Sequence, residues 1–169
     1  MTTIPTAADE ARFWSLIESA WQRVGSAPSA LRKDMLTPDN EEAAAALDEH
    51  LTTFVDHLTA LSADLSDTEL TDLDRVLERK LYDIDRADVH EITDGSDDGF
   101  LYCRGFIVAL GQEYYEAVAA DPSLAAEDAE CESMCYFFAH RYADRHDRFP
   151  DTGSGISRET CSNKAAWAD

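Results

Sequence analysis

Apolar residues recur along most of the chain at intervals of three and four, which is the period of an amphipathic helix. The clearest run lies near the N-terminus and consists of Phe13, Leu16, Ile17, Ala20, Trp21 and Val24. Similar runs cover residues 47–65 and 70–84. We find no sustained alternation of apolar and polar residues that would indicate a strand. The pattern therefore predicts an all-α protein, a compact single-domain bundle of five or six helices.

Polar residues at the ends of these runs indicate where helices begin. The stretch Ser66-Asp67-Thr68-Glu69 has the form of a capping box, in which the Ser66 hydroxyl and the Glu69 carboxylate bond to otherwise free backbone N–H groups. Further along, Gly95 suits a turn with a positive φ angle, and Ser96 suits the cap of the helix that follows it.

We expect the helix after this turn to continue past Gly111 as far as Asp121-Pro122, because proline lacks a backbone donor and restricts the residue before it. A last helix is predicted over residues 124–146. From residue 149 the composition changes to proline, glycine, serine and threonine. The chain therefore divides into a helical domain, residues 1–148, and a polar C-terminal tail, residues 149–169.

The charge balance restricts the classes of partner. The chain has 35 acidic and 14 basic residues, a net charge of −21, which disfavours binding to nucleic acid or to an anionic membrane surface. One explanation for such acidity is solubility or adaptation to high salt. The alternative is a docking surface, for which the expected partner is a basic or partly basic protein.

Two further observations concern the compartment and the cysteines. No window of eighteen apolar residues occurs, and the start of the chain lacks the basic and apolar regions of a signal peptide, so we expect a soluble cytoplasmic protein. The four cysteines show no disulfide spacing and are expected to be reduced. Cys131 and Cys135 lie four residues apart on an apolar helical face, which favours core packing over a redox or zinc site.

The strongest candidate site is the loop-to-helix junction, where Asp97, Asp98, Tyr102 and Arg104 are close in sequence. Arg104 lies within reach of both carboxylates, which predicts a structural ion pair. If Arg104 is free instead, the four side chains form a polar pocket suited to the backbone of a partner or to a small ligand. A cleft that unites Asp97 and Asp98 with a histidine such as His90 would point to a metal-assisted hydrolase.

A calcium loop is the metal site that this junction suggests first. Asp94, Ser96 and Asp98 stand at loop positions one, three and five, and Gly99 stands at position six. Position twelve requires a bidentate glutamate, and the chain has Gly105 there. We therefore predict a structural turn and helix cap rather than a metal site, and no cofactor.

The tail supplies a separate candidate, since Cys161 is expected to be exposed and lies near Trp167. In that interpretation the folded body carries a peptide that another enzyme recognises or modifies.

A further alternative is a toxin-neutralising protein or nucleic-acid mimic, in which a continuous stripe of carboxylates covers a basic partner. We favour a non-enzymatic binding or regulatory module that engages a protein partner through its acidic surface.

Several segments resemble the signatures of a bacterial family, the domain of unknown function 4240. They are Phe13-Trp14-Ser15-Leu16-Ile17-Glu18, the run 95–107, Gly111-Gln112-Glu113 with Tyr115 and Ala117, Asp121-Pro122, and the acidic run 127–132. The resemblance extends from about residue 11 to residue 142 and excludes the tail. It implies a small helical bacterial protein, and it carries no established activity.

Overall fold

A computed structural model describes residues 1–168, and all of its regular elements are helices. They are α1 (Ala7–Val24), α2 (Ala27–Asp34), α3 (Glu41–Ser62), α4 (Asp67–Asp83), α5 (Ala87–Thr93), α6 (Asp97–Ala109), α7 (Gln112–Ala120), α8 (Glu132–Cys135), α9 (Phe137–His146) and α10 (Lys164–Trp167), with a 3₁₀ turn at Pro122–Leu124 between α7 and α8. Asp169, the last residue of the predicted tail, lies outside the described residues.

The all-α prediction is confirmed, whereas the expected number of helices is too low. Eight of the ten helices are at least seven residues long. The predicted helix through Gly111 is two helices, α6 and α7, because Gly111 has a φ angle of 103°. A Cβ atom there would also lie 2.7 Å from Nη2 of Arg32.

The predicted last helix over residues 124–146 is also wrong. Only α8 and α9 are helical in this range, and residues 125–131 follow an irregular path between Leu124 and α8. Ala125 and Ala126 are buried in the core, and Asp128 has a left-handed φ angle of 53°. The backbone N–H of Cys131 donates to the Tyr102 carbonyl of α6, at 3.0 Å. Tertiary contacts therefore replace the helical hydrogen bonds of this segment.

Helix α1 packs along α3 and α4 through its apolar stripe. The indole ring of Trp21 stacks on Phe54 of α3, with ring centroids 4.5 Å apart. Its Nε1–H donates to the Ala109 carbonyl at the end of α6, at 2.7 Å, so the buried polar atom of the ring is satisfied. This packing holds α3 with one face on the core and the opposite face in solvent.

The predicted helix starts are confirmed at two places. Ser66 and Glu69 form the capping box, with the Ser66 N–H donating to the carboxylate and the Glu69 N–H donating to the hydroxyl. The Ser96 hydroxyl accepts from the N–H of Gly99 at 3.2 Å and caps α6, directly after Gly95 with its φ angle of 104°. These caps set where α4 and α6 begin, and both helices contribute to the two sites described below.

Residues 149–168, which we call the C-terminal segment, lie against the helical body. Their central anchor is Asp85, a fully buried carboxylate between α4 and α5. Its two oxygens accept from the backbone N–H groups of Cys161 and Asn163 and from Nε1 of Trp167, at 3.1, 2.9 and 2.8 Å. The N–H of Thr3 adds a backbone bond to the Gly153 carbonyl. The segment is thus joined to the body by hydrogen bonds at several points.

Candidate functional site

The predicted junction does not form one site. Asp97 and Asp98 are exposed in the first turn of α6, where their charges favour the helix N-terminus. His90, the histidine considered for a hydrolase, has its Nε2 3.0 Å from the Gly95 carbonyl and its ring against Phe100 and Trp167. No hydrogen bond joins it to either carboxylate within residues 1–168.

Arg104 points away from the carboxylates at the junction, so the expected ion pair with Asp97 or Asp98 is wrong. Its guanidinium is fully buried and donates to the carbonyls of Leu81 and Arg158, at 2.8 and 2.9 Å. It also donates to the Thr160 hydroxyl, at 3.1 Å. Burial lowers the pKa of this guanidinium. Arg104 therefore links α6 to α4 and to the C-terminal segment, and it is closed to a ligand.

Asp98 and Tyr102 instead line one end of a long groove beside α3. Three hollows follow one another along this helix, with volumes of about 460, 320 and 540 Å³. The first and second share Asp48 and Glu130, and the second and third share Val55 and Glu132. We call the three together the α3 groove. One wall is α3, and the other consists of the irregular residues 126–131 with parts of α6, α8 and α9.

The walls of the α3 groove are strongly acidic. Nine exposed carboxylates have no cationic side chain within 4.0 Å among the described residues. They are Glu41, Asp48, Asp56, Asp98, Glu127, Asp128, Glu130, Glu132 and Glu159. The arginine in the lining, Arg141, is paired with Asp144 at 3.1 Å. The groove therefore combines a concave shape with uncompensated negative charge over its length.

The floor of the groove is apolar. Ala44, Ala126 and Phe106 lie under the first hollow, and Leu51 lies under the second. Leu101 and Phe137 lie under the third. Loss of contact with water raises the pKa of the Tyr102 hydroxyl at this end, and the neighbouring Glu132 and Asp98 raise it further. Apolar side chains between acidic walls suit a segment that is itself both apolar and basic.

Three of the cysteines belong to the core, as predicted for Cys131 and Cys135. Burial raises the pKa of Cys103 and Cys135 to about 12 and that of Cys131 to about 11, so these thiols stay protonated at neutral pH. All four cysteines are free, and Cys161 is exposed as expected. Trp167 is half-buried.

No cluster of three or more histidine, cysteine or acidic side chains in residues 1–168 has a geometry that could hold a metal ion.

The sequence predicts residues at one end of the groove, Asp98 and Tyr102, but does not predict that the groove extends along α3. Asp48, Thr52 and Asp56 recur every four residues on the solvent side of α3, which is a signal for one polar helical face. The acidic run 127–132 is visible in the sequence, but a regular helix would have placed its side chains around the whole helix. Its irregular path aligns them along one wall instead.

A family model described as a protein of unknown function (DUF4240) matches residues 8–144, a range that includes all of the groove except Glu159. The comparisons with curated proteins and with solved structures give no match. Within residues 1–168, no helix combines the length and the apolar character that a membrane crossing requires.

Proposed function

Because this chain belongs to the DUF4240 family, whose members are described only as proteins of unknown function, we infer its role from its geometry. We propose that the α3 groove docks a basic segment of a protein partner. The single observation that carries this proposal is the alignment of nine uncompensated carboxylates along a groove that has apolar side chains at the floor of each hollow. In this role the protein is a non-enzymatic binding module.

The size of the groove favours a helical segment. It follows α3 from Glu41 to Thr59, which at 1.5 Å per residue corresponds to about 27 Å. An amphipathic helix of about 18 residues has this length and offers an apolar stripe for the floor with lysine or arginine on both sides. Positive side chains on the partner would relieve the repulsion between carboxylates such as Asp48 and Glu130.

A peptide titration tests the proposal. The probe is a fluorescein-labelled helical peptide of 18 residues made of lysine, arginine, leucine and alanine. We expect the variant Asp48→Asn/Glu130→Gln/Glu132→Gln to bind it about ten-fold more weakly than the unchanged protein, since three partly exposed ion pairs contribute about 1.4 kcal/mol. Fluorescence anisotropy measures the dissociation constants, and binding of the unchanged protein should weaken as salt is added.

The matched control removes three charges outside the groove. Glu49, Asp64 and Glu91 are exposed, belong to no ion pair in the described chain and do not line the groove. The variant Glu49→Gln/Asp64→Asn/Glu91→Gln therefore has the same net charge as the groove variant and should keep its affinity within about two-fold. Equal weakening of both variants would show that net charge alone attracts the peptide and would contradict the proposal.

A further inference from the structure

One side chain of the C-terminal segment, Arg158, lies in a pocket built to hold a guanidinium. Arg158 is only 4% exposed. Its two terminal nitrogens donate to the two oxygens of Asp74, at 3.1 and 3.0 Å, and one of them lies 3.5 Å from Glu78. The Cys135 carbonyl accepts a further bond at 2.8 Å, and the face of Tyr136 lies 4.5 Å from the guanidinium carbon. We call these surroundings the Arg158 pocket.

Two features of the pocket favour arginine over lysine. The bidentate contact with Asp74 requires the planar fork of a guanidinium. The aromatic face of Tyr136 supplies a cation–π contact. Burial lowers the pKa of Arg158, and Asp74 and Glu78 outweigh this effect and raise it, so the guanidinium is charged.

The pocket and its occupant come from different parts of the chain. All four residues of the pocket lie within 8–144, the part matched by the family model, and Arg158 lies outside it. Asp74 is 2% exposed, and its burial raises the pKa of the carboxyl while Arg158 lowers it. A buried carboxylate without its partner is strongly unfavourable. The family domain thus contains a site that needs a guanidinium from another segment.

The pocket adjoins the third hollow of the α3 groove. Tyr136 lines both, because one face of its ring covers Arg158 and its hydroxyl donates to Glu159 at the groove wall. A basic segment docked in the groove therefore ends next to a site that holds an arginine. Asp85 holds residues 161–167 through bonds that do not involve Arg158. Displacement of the part around Arg158 therefore has to break the bonds from Arg104 to the Arg158 carbonyl and to Thr160, but not the bonds to Asp85.

We propose that the Arg158 pocket is an arginine-recognition site, which the C-terminal segment occupies within the same chain and which an arginine of the basic partner takes in its place. The second half of this inference rests on the proposed function of the groove. The C-terminal segment then acts as a competitor that the partner has to displace.

The pocket itself is tested by chemical rescue in the full-length chain. Arg158→Ala should lower the melting temperature, and ethylguanidinium should restore it in a saturable way. Ethylammonium is the matched probe, with the same charge and no planar fork, and it should not restore the melting temperature. Adding Asp74→Asn should abolish the rescue. Equal effects of the two cations, or no effect of either, would overturn the assignment of an arginine site.

The exchange with a partner is tested on the unchanged protein, which does not depend on the folding of the Arg158 variant. Hydrogen exchange of residues 149–160 is followed while the basic helical peptide is added, in one version with arginine and in one with lysine only. We expect the arginine version to accelerate exchange in these residues and the lysine version to leave it unchanged. Binding of both versions without any acceleration overturns the displacement and leaves the groove proposal standing. Absence of binding by either version overturns both.

Discussion

Replacing Arg158 with methionine lowers the free energy of unfolding by about 3–5 kcal/mol, because it leaves the Asp74 carboxylate buried without its partner. The loss also removes the link from the C-terminal segment to the Cys135 carbonyl. Equilibrium unfolding in urea, followed by circular dichroism, measures the change.

The control for this prediction is Arg148→Met, which changes the same residue type at an exposed position. Arg148 lies over the ring of Tyr142 at 5.8 Å and has no carboxylate partner in the described chain, so we expect a change within about 0.5 kcal/mol. Replacing both members of the buried pair, Asp74→Leu/Arg158→Met, should recover part of the lost stability, because no charge is then left unpaired. A loss below about 1 kcal/mol for Arg158→Met would contradict the buried pair.

The second large effect is expected at Gly105, in the middle of α6. A Cβ atom there would lie 2.5 Å from the Cys131 carbonyl oxygen and 2.7 Å from Sγ of Cys135, both of which are closer than any contact that a real Cβ atom makes. Gly105→Ala therefore forces α8 away from α6. We expect it to lower the free energy of unfolding by about 2–3 kcal/mol, although alanine is the better helix former by about 1 kcal/mol.

The same substitution six residues earlier in α6 provides the comparison. A Cβ atom at Gly99 would meet only the Ser96 hydroxyl, at 3.3 Å, and the end of the Glu130 side chain, at 3.5 Å. Since Glu130 is exposed and its end is free to shift, Gly99→Ala should not lower the free energy of unfolding by more than about 0.5 kcal/mol. Urea denaturation of the two variants under the same conditions measures the difference in their free energies of unfolding. Equal stability of both would show that α6 and α8 do not approach closely at Gly105.

Much of the fold follows from local patterns. The apolar stripe of α1 and the capping box of α4 depend on residues close in sequence, and both are confirmed. The segment 125–131 shows where such reasoning ends. Its alanine and acidic residues favour a helix. The backbone follows a non-helical path instead, because Ala125 and Ala126 are buried and the Cys131 N–H donates to the Tyr102 carbonyl. The energy of those long-range contacts has no signature in the local sequence.

The C-terminal segment illustrates the same limit. Its proline, glycine and serine content indicates a tail, and its anchors are separated from their partners by about 80 residues. The sequence does indicate that Asp74 is buried, because it lies four residues after Leu70 and three before Leu77, on the apolar face of α4. A carboxylate at a buried position requires a cation or several donors. The sequence shows that need, but it does not show that Arg158 meets it.

Prediction of the site was partial for a comparable reason. The motif at the start of α6 indicates Asp98 and Tyr102 as site residues, and both line the groove. Arg104 was selected by proximity in sequence and is buried with other partners. The groove itself arises from the position of α3 beside residues 126–133, which depends on the tertiary path of that segment.

The most direct test of the docking role is to map the bound basic peptide on the unchanged protein by amide chemical-shift changes in a titration. We expect the largest changes along the groove, in residues 41–59 of α3 and in residues 126–133, with the apolar floor at Phe106 affected as well. Changes spread evenly over the acidic surface, or centred away from α3, would contradict the account, because they would show attraction by net charge without a docking groove.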